Sequence, residues 1–299
     1  MPAGRYAPSP TADLHIGNLR TAVLAWLFAR STGREFLLRI EDLDTDRVRA
    51  AKGAEARQVA DLTALGLIFD RPLVRQSTRV QEYAAAVDAL GERVYECYCT
   101  RREIAEAASA PHETPNGFRP YPGTCRELSA AQRVARRRER DPALRIRADG
   151  RWMAVTDLVH GRVHGPVDDF VLRRGDGVWA YNLAVVVDDM AMDIDQVVRG
   201  EDLLSSAPRQ AWLTQVLGGV VPDYAHVPLV VNLAGVRLAK RDGAVTLAEL
   251  SSQGRDVAWV LRWVGESLGL SNPGEPVTLR LLLERFDPAV LPRTPTLFA

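Results

Sequence analysis

The alternation at the start of the chain constrains the fold most. Arg5 and Tyr6 end a short strand candidate that runs into the Pro-rich turn Ala7-Pro8-Ser9-Pro10, and residues 19–30 then carry apolar side chains on a helical repeat. Residues 35–40 read as a second strand after Gly33, and residues 51–66 as a helix with Val59, Leu62 and Leu65 on one face. Strands alternating with helices predict an α/β protein with a parallel sheet.

Further along, residues 79–93 read as a helix. A loop-rich stretch follows, crowded with Pro111, Pro115, Gly117, Pro120, Pro122 and Gly123. That shift in composition marks an insertion. Residues 144–177 offer short strand-like runs, after which residues 183–187 and 196–199 are expected to be buried strands returning to the sheet. Residues 207–217 follow as a helix, with Ser205 or Ser206 as its cap. Helical patterns at 258–268 and 279–285 close the chain, separated by a hinge at Pro273 to Pro276. The expected division is 1–94 and 178–235 for the two halves of the sheet domain, 95–177 for the insertion, and 236–299 for a loop with a small helical region.

Length and composition exclude whole classes. The chain has 299 residues, 46% hydrophobic and 25% charged, which rules out a disordered, collagenous or coiled-coil chain. No apolar run approaches the roughly 18 residues of a membrane span, and Met1 to Tyr6 lacks the apolar core of a signal peptide. A soluble, cytoplasmic protein is expected, with a monomer favoured and its oligomeric state left open. Positive and negative side chains balance at 38 each, so a nucleic-acid partner would have to meet a local basic face. The lysines are Lys52 and Lys240 alone, against 36 arginines, so a lysine kept against that bias marks a place where a compact ammonium is needed.

Two loops carry candidate chemistry. The turn Pro8-Ser9-Pro10-Thr11-Ala12-Asp13-Leu14-His15-Ile16-Gly17-Asn18 lies between a strand and a helix. There, backbone N–H groups and the positive helix end face anions, Gly17 admits a flat base, and His15 can donate to phosphate. Downstream, Arg237-Leu238-Ala239-Lys240-Arg241-Asp242-Gly243 places Lys240 where an ammonium could neutralise charge developing on phosphate oxygens. The plain alternatives are a capped turn and a solvated basic loop.

Together these loops resemble the paired HIGH and KMSKS signatures of class I aminoacyl-tRNA synthetases, departing from them at Asn18, Arg237 and Ala239. Arg5-Tyr6-Ala7-Pro8-Ser9, Arg39-Ile40-Glu41-Asp42, Tyr181-Asn182 and Val198-Arg199-Gly200-Glu201-Asp202-Leu203-Leu204 extend the likeness to the glutamate-specific branch, from about residue 4 to residue 245. The resemblance implies a Rossmann-type parallel sheet interrupted by a zinc-bearing insertion. It also implies ATP as a substrate, with Mg²⁺ held mostly by the nucleotide's phosphates. Two carboxylates and an ammonium on glutamate call for two arginines and one acid. On this likeness Glu41 holds the amino group, Arg5 and Tyr181 the side-chain carboxylate, Arg199 the α-carboxylate, and Ser9 adds a hydrogen bond. His15, Gly17, Asn18 and Lys240 serve ATP, with His15, Gly17 and Lys240 expected to be catalytic. No nucleophilic triad is needed.

Only residues 245–299 follow the Lys240 motif, too few for an anticodon-binding region. The chain is therefore expected to resemble the short members of that branch, which transfer L-glutamate to queuosine in the anticodon loop of tRNA(Asp). The alternatives are a truncated enzyme charging tRNA(Glu) and a non-catalytic binding paralogue.

The cysteines are Cys97, Cys99 and Cys125, an odd number confined to one segment, which favours a structural Zn²⁺ over a disulfide framework. Resemblance suggests Tyr121 as fourth ligand, with water and His112 open as alternatives, and three reduced thiols as the reading without metal. His160 and His164 are expected to serve the fold. Asp188-Asp189 invites a Mg²⁺ reading, but a solvated loop is expected. The run from Arg133 to Arg140, with Arg145, Arg147 and Arg151 nearby, suits a phosphate-contacting face and a solvated helix equally.

Overall fold

The computed structural model describes residues 1–100, 102–104, 121–236, 238 and 245–298. The chain opens with β1 (Ala3–Tyr6), α1 (Ile16–Ser31) and β2 (Glu35–Ile40), then α2 (Thr45–Ala50), α3 (Ala54–Ala64), β3 (Val74–Arg75) and α4 (Val80–Leu90). Next come β4 (Val94–Cys97), α5 (Ala130–Arg137), β5 (Ala143–Ile146), the hairpin β6 (Arg151–Asp157) and β7 (Gly161–Val167), and β8 (Val171–Arg173). The chain returns through α6 (Tyr181–Ala191), β9 (Ile194–Gly200), α7 (Ala207–Val216), β10 (Asp223–Val227) and β11 (Val230–Val231). It closes with α8 (Leu247–Ser252), α9 (Val257–Ser267), α10 (Leu279–Arg285) and β12 (Thr296–Leu297).

The central sheet runs β3-β2-β1-β9-β10-β6-β7. Every pairing from β3 to β6 is parallel, and only the β6–β7 hairpin is antiparallel. This is the α/β architecture that the strand–helix alternation predicts. β1 lies mid-sheet with all four residues buried, consistent with neighbours on both edges. The segment 95–177 divides in two: its hairpin extends the central sheet, while β4, β5 and β8 form a separate antiparallel sheet.

α1 is apolar nearly all round, and a helix of that kind needs cover on every side. It packs on β1 and β9 and against the C-terminal helices, where Phe28 meets Phe286 edge-on with ring centroids 5.0 Å apart. Leu250, Val260, Val264 and Leu282 join the same core. Of residues 51–66, read as one helix, Ala54–Ala64 form α3; Gly53, with a positive φ of 71°, separates it from α2, which ends at Ala50.

Two expectations are overturned. Residues 183–187 lie within helix α6, not a strand. A short buried apolar run has the same pattern in either state, and here the helix brings the next two residues, Asp188 and Asp189, onto Arg79 and the buried Arg5. Ser206 makes no side-chain cap bond, because a 3₁₀ turn from Glu201 to Ser206 leads directly into α7 and puts Ser206 in helical geometry.

Candidate active site

The loop after β1 is shaped by reciprocal hydrogen bonds. His15 caps α1: its Nδ1 accepts from the Asn18 N–H at 3.2 Å while Asn18 Oδ1 accepts from the His15 N–H at 3.2 Å. With Nδ1 accepting, the neutral ring carries its proton on Nε2. A Cβ on Gly17 would stand 3.0 Å from the His15 ring and 3.1 Å from Val230 Cβ, so the glycine is what lets the ring close over the helix end. Gln58 pins the loop by donating to the carbonyls of Ser9 at 3.1 Å and Ala12 at 2.6 Å.

A cavity of about 610 Å³ opens against this helix end. Arg5, Ser9, His15, Gly17, Asn18, Glu41, Tyr181 and Arg199 all line it. Lys240 and His112 lie outside the described residues. The flanks of the Lys240 loop are nonetheless tied to this end of the cavity: the Ile16 N–H donates to Val245 O at 2.8 Å, and the Leu238 N–H to Val230 O at 3.5 Å.

A buried charge network underlies one wall. Arg5 donates through Nε and Nη2 to the two Asp189 oxygens at 3.1 and 3.4 Å, and Arg39 donates to Asp189 at 2.5 Å and to Glu41 at 3.2 Å. Asp188 accepts from Arg79 at 2.6 Å, Gln76 at 2.8 Å and the Tyr83 hydroxyl at 2.9 Å. Asp188 and Asp189 are thus buried structural anions, not the solvated loop expected of them. The carboxylates have every partner that burial demands. Burial pushes the Glu41 carboxyl above its ordinary range despite the opposing pull of Arg39 and Arg5. Burial would raise Asp189 too, but the charges of Arg39 and Arg5 hold it below the usual range.

On the neighbouring strand β9, Arg199 is held differently. Its Nη1 donates to the Tyr181 hydroxyl at 3.1 Å and to Gln210 Oε1 at 2.7 Å, and its Nε to His226 Nε2 at 3.0 Å. Among the described residues Arg199 forms no ion pair with a carboxylate, so its positive charge is uncancelled. Gln210, His226 and Asp157 carry no sequence signal of this kind, since Gln210 and His226 act through Arg199 and Asp157 through His226, contacts that no local motif encodes. The one hint was two adjacent acids ending an apolar run, a pattern that favours burial with a counter-charge.

The thiols of Cys97, Cys99 and Cys125 lie within 4.8 Å of one another. The Tyr121 hydroxyl completes the group, 3.3 Å from Cys97 Sγ and 3.6 Å from Cys99 Sγ, with Cys99 and Cys125 Sγ 3.5 Å apart. A tetrahedral ion with metal–sulfur bonds near 2.3 Å spaces its donors by roughly 3.8 Å, so these four atoms fit one. None of them lines the cavity. His160 and His164 are not part of this cluster, and His160 Nε2 sits 3.0 Å from the His226 carbonyl oxygen. The arginines of α5 have local partners: Arg137 meets Glu96 at 2.5 Å, Arg133 the Leu128 carbonyl at 2.7 Å and Arg136 Glu139 at 3.7 Å.

Residues 3–266 match the family of class I tRNA synthetases (E and Q), catalytic domain. Fold and family match thus define a class I synthetase catalytic core. The glutamyl-Q tRNA(Asp) synthetase of Nocardia farcinica is 60% identical over 296 residues, covering 98% of this chain and 92% of the relative. That of Cutibacterium acnes is 54% identical over 274 residues, covering 92% and 78%. A glutamate tRNA ligase from Elizabethkingia meningosepticum, solved with its amino acid, superposes with a TM-score of 0.82 at 25% identity, over 99% of this chain and 66% of the ligase. The chain belongs to the glutamyl-Q tRNA(Asp) synthetase branch of the class I family and is an ATP-dependent ligase. No described helix is long and apolar enough to cross a membrane.

Proposed function

We propose that this site activates L-glutamate with ATP and transfers the glutamyl group to queuosine in the anticodon loop of tRNA(Asp). One observation carries the reading: Arg5, Glu41, Tyr181 and Arg199, a set matched to two carboxylates and an ammonium, share a cavity with the N-terminus of α1. In the first step a glutamate α-carboxylate oxygen attacks the α-phosphorus of ATP and pyrophosphate leaves. In the second, a hydroxyl of the queuosine cyclopentene ring attacks the acyl carbon and AMP leaves. Positioning and charge neutralisation are the protein's contributions.

In this reading Glu41 receives the ammonium, Arg5 and Tyr181 the side-chain carboxylate, and Arg199 the α-carboxylate, with Ser9 adding a hydrogen bond. His15 Nε2–H, the helix end at Gly17 and Asn18, and Lys240 meet the triphosphate, which brings Mg²⁺ with it. Cys97, Cys99, Cys125 and Tyr121 would hold a Zn²⁺, whose contribution is to cross-link a loop with little core of its own. The residues 1–94 and 178–235 make the catalytic halves, 95–177 the insertion and 236–299 the Lys240 loop and helical region.

The test is transfer of labelled glutamate, with ATP, onto queuosine-containing tRNA(Asp), the same tRNA with guanosine in place of queuosine, and tRNA(Glu). Label on the first alone is expected. Label on tRNA(Glu) would make the protein a tRNA(Glu)-charging enzyme, and no label with no pyrophosphate exchange would make it a binding paralogue.

A further inference from the structure

We infer that His226 is a positioning residue of the glutamate site: it aims Arg199 through Nε2, while Asp157 fixes the ring proton on Nδ1. The inference rests on the reading of Arg199 as a carboxylate ligand.

The strand register sets up the contact. β9 and β10 pair His226 directly with Arg199, and Tyr224 of β10 pairs with Asp157 of β6. Arg199 Nε carries a proton permanently, so His226 Nε2, 3.0 Å away, can only accept. The ring proton must then sit on Nδ1, which faces Asp157 Oδ2 at 2.6 Å. Asp157 is itself immobilised, accepting from the N–H groups of Val159 at 3.0 Å, His160 at 2.9 Å and His226 at 3.1 Å. Each orientation is therefore determined by the group behind it.

A histidine is well suited to this place. A carboxylate there would orient the guanidinium but also offset its charge, as Asp189 does in part for the two arginines that share it, Arg5 and Arg39. A neutral ring orients without cancelling. Burial and the Arg199 charge both push His226 below its ordinary pKa, against the pull of Asp157, which keeps the ring neutral. Nε and Nη1 are held by side chains, whereas Nη2 makes a long bond, 3.5 Å, to the Leu203 carbonyl and is the end left to meet a carboxylate. His226 acts on substrate only through Arg199.

The experiment measures glutamate-dependent pyrophosphate exchange for the wild type, His226→Leu, His226→Gln and Asp157→Asn, with a histidine-selective ¹⁵N spectrum of the wild type. His226→Leu should raise the glutamate KM roughly ten- to a hundredfold, the range for losing a hydrogen bond to a charged group, and leave the ATP KM within about twofold. His226→Gln, which keeps an acceptor near the position of Nε2, should recover most of the loss. Asp157→Asn should resemble His226→Leu, because an amide N–H facing Nδ1 forces the ring proton onto Nε2, against Arg199 Nε–H. The spectrum should show His226 protonated on Nδ1.

A glutamate KM unchanged in His226→Leu, glutamate and ATP KM values rising together, or a ring proton on Nε2 would each overturn the inference. Should His226→Leu fail to fold, Asp157→Asn and the wild-type spectrum decide. Wild-type protein unable to exchange pyrophosphate would remove the functional reading itself. An active wild type with unaffected variants removes only the role of His226.

Discussion

In the binding role proposed for it, Glu41 works against the fold that carries it. Its pKa is raised, so the stability linked to it is fully present below its unfolded value and is lost as pH rises through the folded one; ionising it in the folded protein is a cost. Binding an ammonium needs that ionised form. Glu41→Gln is therefore expected to raise the glutamate KM more than about tenfold while leaving the melting temperature unchanged or higher, measured by pyrophosphate exchange and calorimetry. In the wild type the glutamate KM should climb on acidification while the protein remains folded. Asp157 and Asp189 have the opposite sign: burial would raise both, but His226 holds Asp157 down, and Arg39 and Arg5 hold Asp189 down. Their stabilisation is present above the unfolded aspartate pKa and disappears only as pH falls below about 4. Loss of glutamate affinity coincident with acid unfolding would contradict the separation.

Two helices position these residues. α6 delivers Asp188 and Asp189 to buried arginines, and removing one partner of such a set leaves a charge stranded. Asp188→Ala should therefore cost about 3–5 kcal/mol in denaturant unfolding. A loss below about 1 kcal/mol would mean that Arg79 and Arg39 find other partners or water. α1 delivers the His15 ring and the helix end, and its tightest point is Gly17. Gly17→Ala should displace the ring and slow pyrophosphate exchange more than about tenfold, with a much smaller effect on melting. Equal effects on exchange and melting would make Gly17 a packing residue only. These helices also mark the limit of pattern reading. α1 was legible because residues 19–30 run too long for an ordinary strand, whereas the five apolar residues 183–187 of α6 fit a strand equally well.

At the scale of the molecule, the thiol cluster and the cavity are separate, since no cluster residue lines the cavity. Stripping metal with a chelator under reducing conditions should lower the melting temperature by more than about 5 °C while exchange at low temperature changes little. Purified protein without stoichiometric zinc, or activity lost in step with metal, would require a different account. The sequence by itself determined what is written locally: the strand–turn–helix order, the cysteine grouping, and a set of charges suited to glutamate and a nucleotide. Only the tertiary structure decided which charges cancel. Arg5 and Asp189 are 184 positions apart, Arg39 and Asp189 150, and Asp157 and His226 69. Whether an arginine is neutralised by a carboxylate or merely aimed by a histidine depends on strand register and helix packing, which bring together residues no local pattern connects.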